Sequence, residues 1–167
     1  MILNRQRAVR VARQPLESFL RKVQDEMDLQ GTDVTICLVS DAEISRMNEA
    51  FRKKKGPTDV LSFPTEKKCG ASARRRKKTY TEFAKVTEDA EQSLGKPDEK
   101  ADKYLGDIAI APETARRYAK KHGRSLSDEM RVLILHGVLH LLGYDHETDR
   151  GEMDRIEQKM RRRFGLA

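Results

Sequence analysis

Apolar residues recur along this chain with two periods, every second position or every third and fourth, and the changes between them mark out its elements. Ile2-Leu3 open a first strand within residues 1–11, where Arg5, Arg7 and Arg10 follow without an acid. Leu16, Phe19, Leu20, Val23 and Met27 then keep helical spacing, with Pro15 suited to a first helical position and an end near Gly31. Asp33 to Val39 alternates Val34, Ile36 and Leu38 with Thr35, Cys37 and Val39, which predicts a buried strand. Ser40 and Glu43 have the spacing of a capping box, and Ile44, Met47 and Phe51 form the stripe of a second helix that closes into residues 52–57. Thr58 to Phe63 reads as a short strand ended by Pro64.

Periodicity fades from Glu66 to Lys103, where charge dominates and only Tyr80, Phe83, Val86 and Leu94 offer much to bury. A stretch that long without structure is unusual inside a domain and reads as a partly disordered insertion, with a transient helix over residues 79–92. Order resumes in the strand Leu105 to Ala111 and a helix from Pro112 to Gly123 that turns Ala115, Tyr118 and Ala119 inward. The next helix, Ser125 to Leu142, is apolar almost all round, the pattern of a buried central helix. A final helix from about Thr148 presents Met153, Ile156, Met160 and Phe164. Four strands and five helices result, enough for one domain spanning residues 1–167.

Composition sharpens this picture in three ways. Tryptophan is absent and aromatics are 5%, so aliphatic packing must carry the core. No run is long and apolar enough to span a bilayer, and the N-terminus lacks the apolar stretch of a secretory signal, so a soluble cytoplasmic protein is expected. Two cysteines make no disulfide framework: Cys37 reads as a small buried hydrophobe and Cys69 lies in a basic loop-like stretch. Seven cations, Lys67, Lys68 and Arg74 to Lys78, have no acid between them and account for the whole formal charge of +7. Such a cluster attracts phosphate, and RNA or ribosome contact is the expectation for it.

Chemistry concentrates in His136-Gly-Val-Leu-His140-Leu-Leu-Gly143-Tyr-Asp-His146, which holds three of the four histidines. On a helix, His136 and His140 stand roughly 40° apart round the axis and about 6 Å apart along it, so both imidazoles leave one face. Gly143 can end the helix in the left-handed conformation, and His146 can return as a third nitrogen ligand with a fourth position left open. The offsets match the metzincin signature H-E-x-x-H-x-x-G-x-x-H, but Gly137 stands where that signature has its general base. A metallopeptidase would need a base from elsewhere, Glu147 or Asp145. Asp145, Asp107 and Asp59 are the candidates to accept a ligand's second ring proton, and His122 reads as a helix C-terminal residue.

Three stretches, Phe51-Arg-Lys-Lys-Lys-Gly-Pro-Thr-Asp-Val-Leu-Ser-Phe-Pro64, Leu105-Gly-Asp-Ile108 and His136 to His146, together resemble the YbeY family of metal-dependent endoribonucleases that act in ribosomal RNA maturation. The resemblance implies an α+β fold, a small mixed four-stranded sheet flanked by about five helices, with one zinc ion per chain on His136, His140 and His146. It points to Arg52 as the basic residue near the metal, and to His136 and Arg52 as the catalytic pair. It also implies single-strand-specific cleavage in maturation of the 16S-type 3′ end and in ribosome quality control, with ribosomal RNA and the small subunit as partners. The basic stretch 66–103 is longer than the family's usual connection. A zinc metallopeptidase and a non-catalytic RNA-binding assembly factor are the alternatives. Three imidazoles accept zinc, nickel, copper or iron, so the motif leaves the metal open.

Overall fold

The computed structural model describes residues 1–65, 103–146 and 148–166. The basic run, Cys69, the helix expected over residues 79–92 and Glu147 lie outside the described residues. Four strands, β1 (Ile2–Asn4), β2 (Asp33–Leu38), β3 (Val60–Pro64) and β4 (Tyr104–Ile110), form one sheet in the order β1-β2-β4-β3. The first three neighbours are parallel, and β3 runs antiparallel along β4. Among the described residues the helices are α1 (Arg13–Glu26), α2 (Asp41–Met47), α3 (Pro112–Lys121), α4 (Leu126–Leu141) and α5 (Glu152–Arg163). The expected α+β fold, a mixed four-stranded sheet with five α-helices, is the one found. None of the described helices is long and apolar enough to cross a membrane.

Alternation along the strands divides the core in two. Val34, Ile36, Leu38, Ile108 and Ile110 face α1, α4 and α5, and form the larger cluster with Phe19, Val23, Ile134, Leu135, Leu139 and Met153. Cys37, Ala109, Leu61 and Phe63 face the other way, onto Ile44 and Met47 of α2. Cys37 is the buried small hydrophobe expected, and burial pushes its thiol pKa up to about 12, far from thiolate chemistry. Central α4 carries ten buried residues, which explains why the sequence offers it almost no polar face.

Several boundaries differ from the sequence expectation for identifiable reasons. β1 stops at Asn4 because buried Gln6 takes over the pairing: its Nε2 donates to the Val9 carbonyl at 2.8 Å and its Oε1 accepts from the Val9 amide at 2.9 Å. α1 starts at Arg13, so Pro15 occupies the third helical position, where the amide it lacks has no partner within the helix. It ends at Glu26, short of Gly31, with Asp28 at φ 54° just beyond. Asp149, not Thr148, sets the start of α5: its carboxylate accepts from the amides of Gly151 at 2.7 Å and Met153 at 2.8 Å. α2 runs on into a π-turn, Asn48–Arg52, closed by Lys53 in the left-handed region, while Asn48 donates to the Gly56 carbonyl. Tyr118 corrects the inward reading of its helix: Ala115 and Ala119 are buried, but Tyr118 is 42% exposed, a quarter-turn past the stripe that they define.

Candidate metal centre

Helix α4 delivers two imidazoles and its end delivers the third. After Leu141, the Gly143 amide bonds to the His140 carbonyl and the Tyr144 amide to the Leu139 carbonyl, the paired bonds of a Schellman motif, with Gly143 at φ 94°. That reversal brings His146 back over the helix. The ring centroids of His136 and His140 are 4.7 Å apart, and that of His146 lies 5.6 and 5.4 Å from them. One ring nitrogen from each falls within 4.8 Å of the others, a cluster that can hold a metal ion.

Geometry and protonation both fit a cation. His136 Nε2 and His140 Nε2 are 3.1 Å apart, close to the spacing of about 3.3 Å between two nitrogens of a tetrahedral zinc site. His136 Nδ1 lies 2.9 Å from Glu157 Oε2, so its proton belongs on Nδ1 and its lone pair on Nε2, facing the other rings. Burial, then the neighbouring His136 and His146, lower the pKa of His140 and keep it in the neutral form that ligates. His136 and His140 are half-buried, while His146 stands exposed on the rim. One side of the cluster is therefore open to a ligand.

Glu157 is the carboxylate behind the centre, and the sequence reading missed it. It is 8% exposed and also pairs with Arg161, one turn along α5. Burial opposes its charge, but the hydrogen bond and charge of His136, with those of Arg161, outweigh that and hold its pKa below the ordinary value. Of the three aspartates proposed for this role, Asp107 and Asp59 lie otherwise. Asp107 is on the far face of the sheet, 1% exposed, with the Tyr104 hydroxyl donating to its Oδ1 at 2.5 Å. Asp59 accepts from the Val60 amide and the Thr58 hydroxyl. Asp145 acts in the turn, its carbonyl accepting from Thr148 and Asp149, while its charge favours protonation of His140. His122 caps α3, as expected.

Gly137 has a packing reason to be glycine. A Cβ there would approach two carbons of Ile108 to 2.8 Å, so α4 lies directly on β4 at the one position where a peptidase would carry its base. Glutamate cannot enter that contact without parting helix from sheet. Gly106 of the Leu-Gly-Asp stretch holds φ 144°, and a Cβ would stand 2.3 Å from the Phe63 carbonyl oxygen and 2.9 Å from Leu141 Cδ2. Both glycines let α4 settle against β3 and β4. Arg52 ends the π-turn and is exposed. Its neighbour Phe51 packs edge-on against Phe63 of β3, with ring centroids 5.0 Å apart, so Arg52 leaves from beside the edge strand that α4 also touches.

Known proteins resemble this chain along most of its length. The family model described as endoribonuclease YbeY matches residues 1–165. A protein named endoribonuclease YbeY from Solibacter usitatus is 37% identical over 161 residues, 96% of this chain and 85% of that one. Its namesake from Heliobacterium modesticaldum is 39% identical over 140 residues, 83% of this chain and 73% of the relative. Among solved structures, the solution structure of TM1509 from Thermotoga maritima is similar with a TM-score of 0.51 and 25% identity, over 95% of this chain and 85% of that one. By its sequence motifs, its fold and these relatives together, the chain belongs to the endoribonuclease YbeY family.

Proposed function

We propose that this protein is a zinc-dependent, single-strand-specific endoribonuclease of the cytoplasm that acts in ribosomal RNA maturation, at the 16S-type 3′ end and in ribosome quality control. The small ribosomal subunit and its RNA are the partners in this reading. The observation that carries it is the convergence of His136, His140 and His146 within 4.8 Å on an open rim. When bound there, one divalent cation would polarise a phosphoryl oxygen and make a nearby water more acidic.

The chain's own groups divide the remaining work. His136 presents Nε2 because Glu157 holds the Nδ1 proton, and His140 stays neutral because it is buried. Arg52, charged at any working pH, offers paired donors to the phosphate and stabilises the charge that builds during cleavage. Gly137 leaves the metzincin base position without a carboxylate, which weakens the peptidase alternative, and the endoribonuclease family supports RNA as the substrate. The nucleophile is either water or the 2′-oxygen, and the product tells them apart: only the second leaves a 2′,3′-cyclic phosphate.

The test measures metal content and cleavage of single-stranded ribosomal RNA fragments side by side. His136→Ala should lose stoichiometric metal and at least about 100-fold in rate. Arg52→Glu should lose rate while keeping its metal. Cleavage that survives His136→Ala and chelation unchanged would refute the nuclease reading. Metal and RNA binding without turnover in nuclease-free wild type would instead favour the assembly-factor alternative.

A further inference from the structure

The outward face of α3 carries an aromatic ring among cations. Tyr118 is, with Met1, one of two large hydrophobic side chains exposed among the described residues. Arg117 and Lys121, both exposed, lie on its side of the helix. A charged helix face alone would be an ordinary solvated surface. What departs from that is the ring and its setting. His122, one turn on, lies nearly parallel to it, 7° off with centroids 6.3 Å apart, and is anchored by Nδ1 2.9 Å from the Tyr118 carbonyl.

Beside the ring opens a groove of about 220 Å³ lined by Pro57, Thr114, Arg117, Tyr118 and Lys121. Its base is built. Asp41 accepts from the Thr114 amide and hydroxyl and from Arg117 at 2.6 Å, which fixes the guanidinium against α3. Across the groove, Pro57 ends a loop that begins with exposed Lys53, Lys54 and Lys55, directly after Arg52. A flat apolar ring flanked by fixed and flexible cations matches single-stranded nucleic acid, whose bases stack and whose phosphates need positive charge. An acidic peptide would use the cations and leave the ring unexplained.

We propose that this groove binds single-stranded RNA, with one base stacked on Tyr118 and flanking phosphates held by Lys121 and Arg117. It extends the substrate path from Arg52 along residues 53–57 to α3, and so rests on the endoribonuclease reading above. The groove adds affinity and directs the strand; it takes no part in bond cleavage.

Fluorescence anisotropy of a labelled, unstructured RNA oligonucleotide, titrated with full-length protein over a range of salt, tests this. A His136→Ala background prevents consumption of the RNA. Tyr118→Ala should bind about tenfold more weakly, and Tyr118→Phe within about twofold of the parent. Lys121→Glu should lower the salt slope by about 1 or more. With His136 restored, Tyr118→Ala should raise KM and leave kcat unchanged. Parental affinity and salt slope in both Tyr118→Ala and Lys121→Glu would overturn the proposal. So would the same parental RNA binding with lost co-sedimentation on small subunits, which would make the face a protein-docking surface. The binding readout does not depend on turnover: if the wild type fails to cleave but the variants bind as expected, the groove stands and the nuclease reading falls.

Discussion

Two buried carboxylates on opposite faces of the sheet are driven in opposite directions. Glu157 is 8% exposed behind the histidines, and Asp107 is 1% exposed on the far face. Burial penalises the charge of both. At Glu157 a histidine and an arginine answer it, and its pKa falls. At Asp107 the principal donor is the neutral Tyr104 hydroxyl, which does not offset burial, and its pKa rises. That phenol is in turn pushed up, by burial and then by Asp107. Burial pushes both pKa values up; charged donors outweigh it at Glu157 and a neutral donor does not at Asp107. One region is thereby prepared to orient a ligand and the other is braced by a polar knot.

The largest expected effect comes from the glycine that joins the regions. Gly106 precedes Asp107 and touches Leu141, the residue after His140, so Gly106→Ala strains both at once. Backbone strain together with overpacking should cost about 3 kcal/mol or more, a fall in Tm of roughly 6–12 °C for a chain of this size. Metal content should fall with it, because α4 must move. Gly137→Ala clashes only with the Ile108 side chain, and about 1–3 kcal/mol is expected. Thermal melts of the two variants rank them; a Gly106→Ala protein as stable as wild type would show that the approach of α4 to the sheet is not tight.

Glu157→Gln separates the two carboxylates directly. It keeps shape and a hydrogen bond to His136 but removes the charge that both His136 and Arg161 meet. Metal affinity should fall roughly 10- to 100-fold by chelator competition, while Asp107→Asn should stay within about twofold. Equal losses in both variants would mean that the histidines need no carboxylate partner.

The histidine centre was legible because its parts are local: a four-residue helical repeat, a glycine stop and a return three residues after it. Glu157 was not, since 21 residues separate it from His136 and only folding brings α5 against α4. Its one signal was an acid on the buried side of α5, where Met153 and Met160 are spaced four and three residues away. A carboxylate set into an apolar stripe needs a partner, and that could have drawn notice. Tyr118 misled in the opposite sense, because apolar spacing counts a tyrosine as core whichever side of a short helix it occupies. β1 was overread because nothing in the local pattern shows that the Gln6 side chain replaces strand pairing.

Asp107→Asn is the smallest change, and its pH dependence tests the comparison most closely. Asp107 has a folded pKa above its ordinary value of 3.8, so it binds its proton more tightly folded than unfolded. Its cost to stability is absent below about pH 3.8 and grows as pH rises from there through the folded value. An uncharged amide at this position carries no such cost, so the variant should gain on the wild type as pH increases. Glu157 has the reverse sign: its folded pKa lies below 4.5, so its contribution is present above that pH and lost as pH falls through the folded value. The advantage of wild type over Glu157→Gln should accordingly shrink on acidification. Denaturant unfolding of metal-free proteins between about pH 3 and pH 7 reads both slopes. Opposite slopes mean that donor charge outweighs depth at these two sites; parallel slopes would mean that burial governs both.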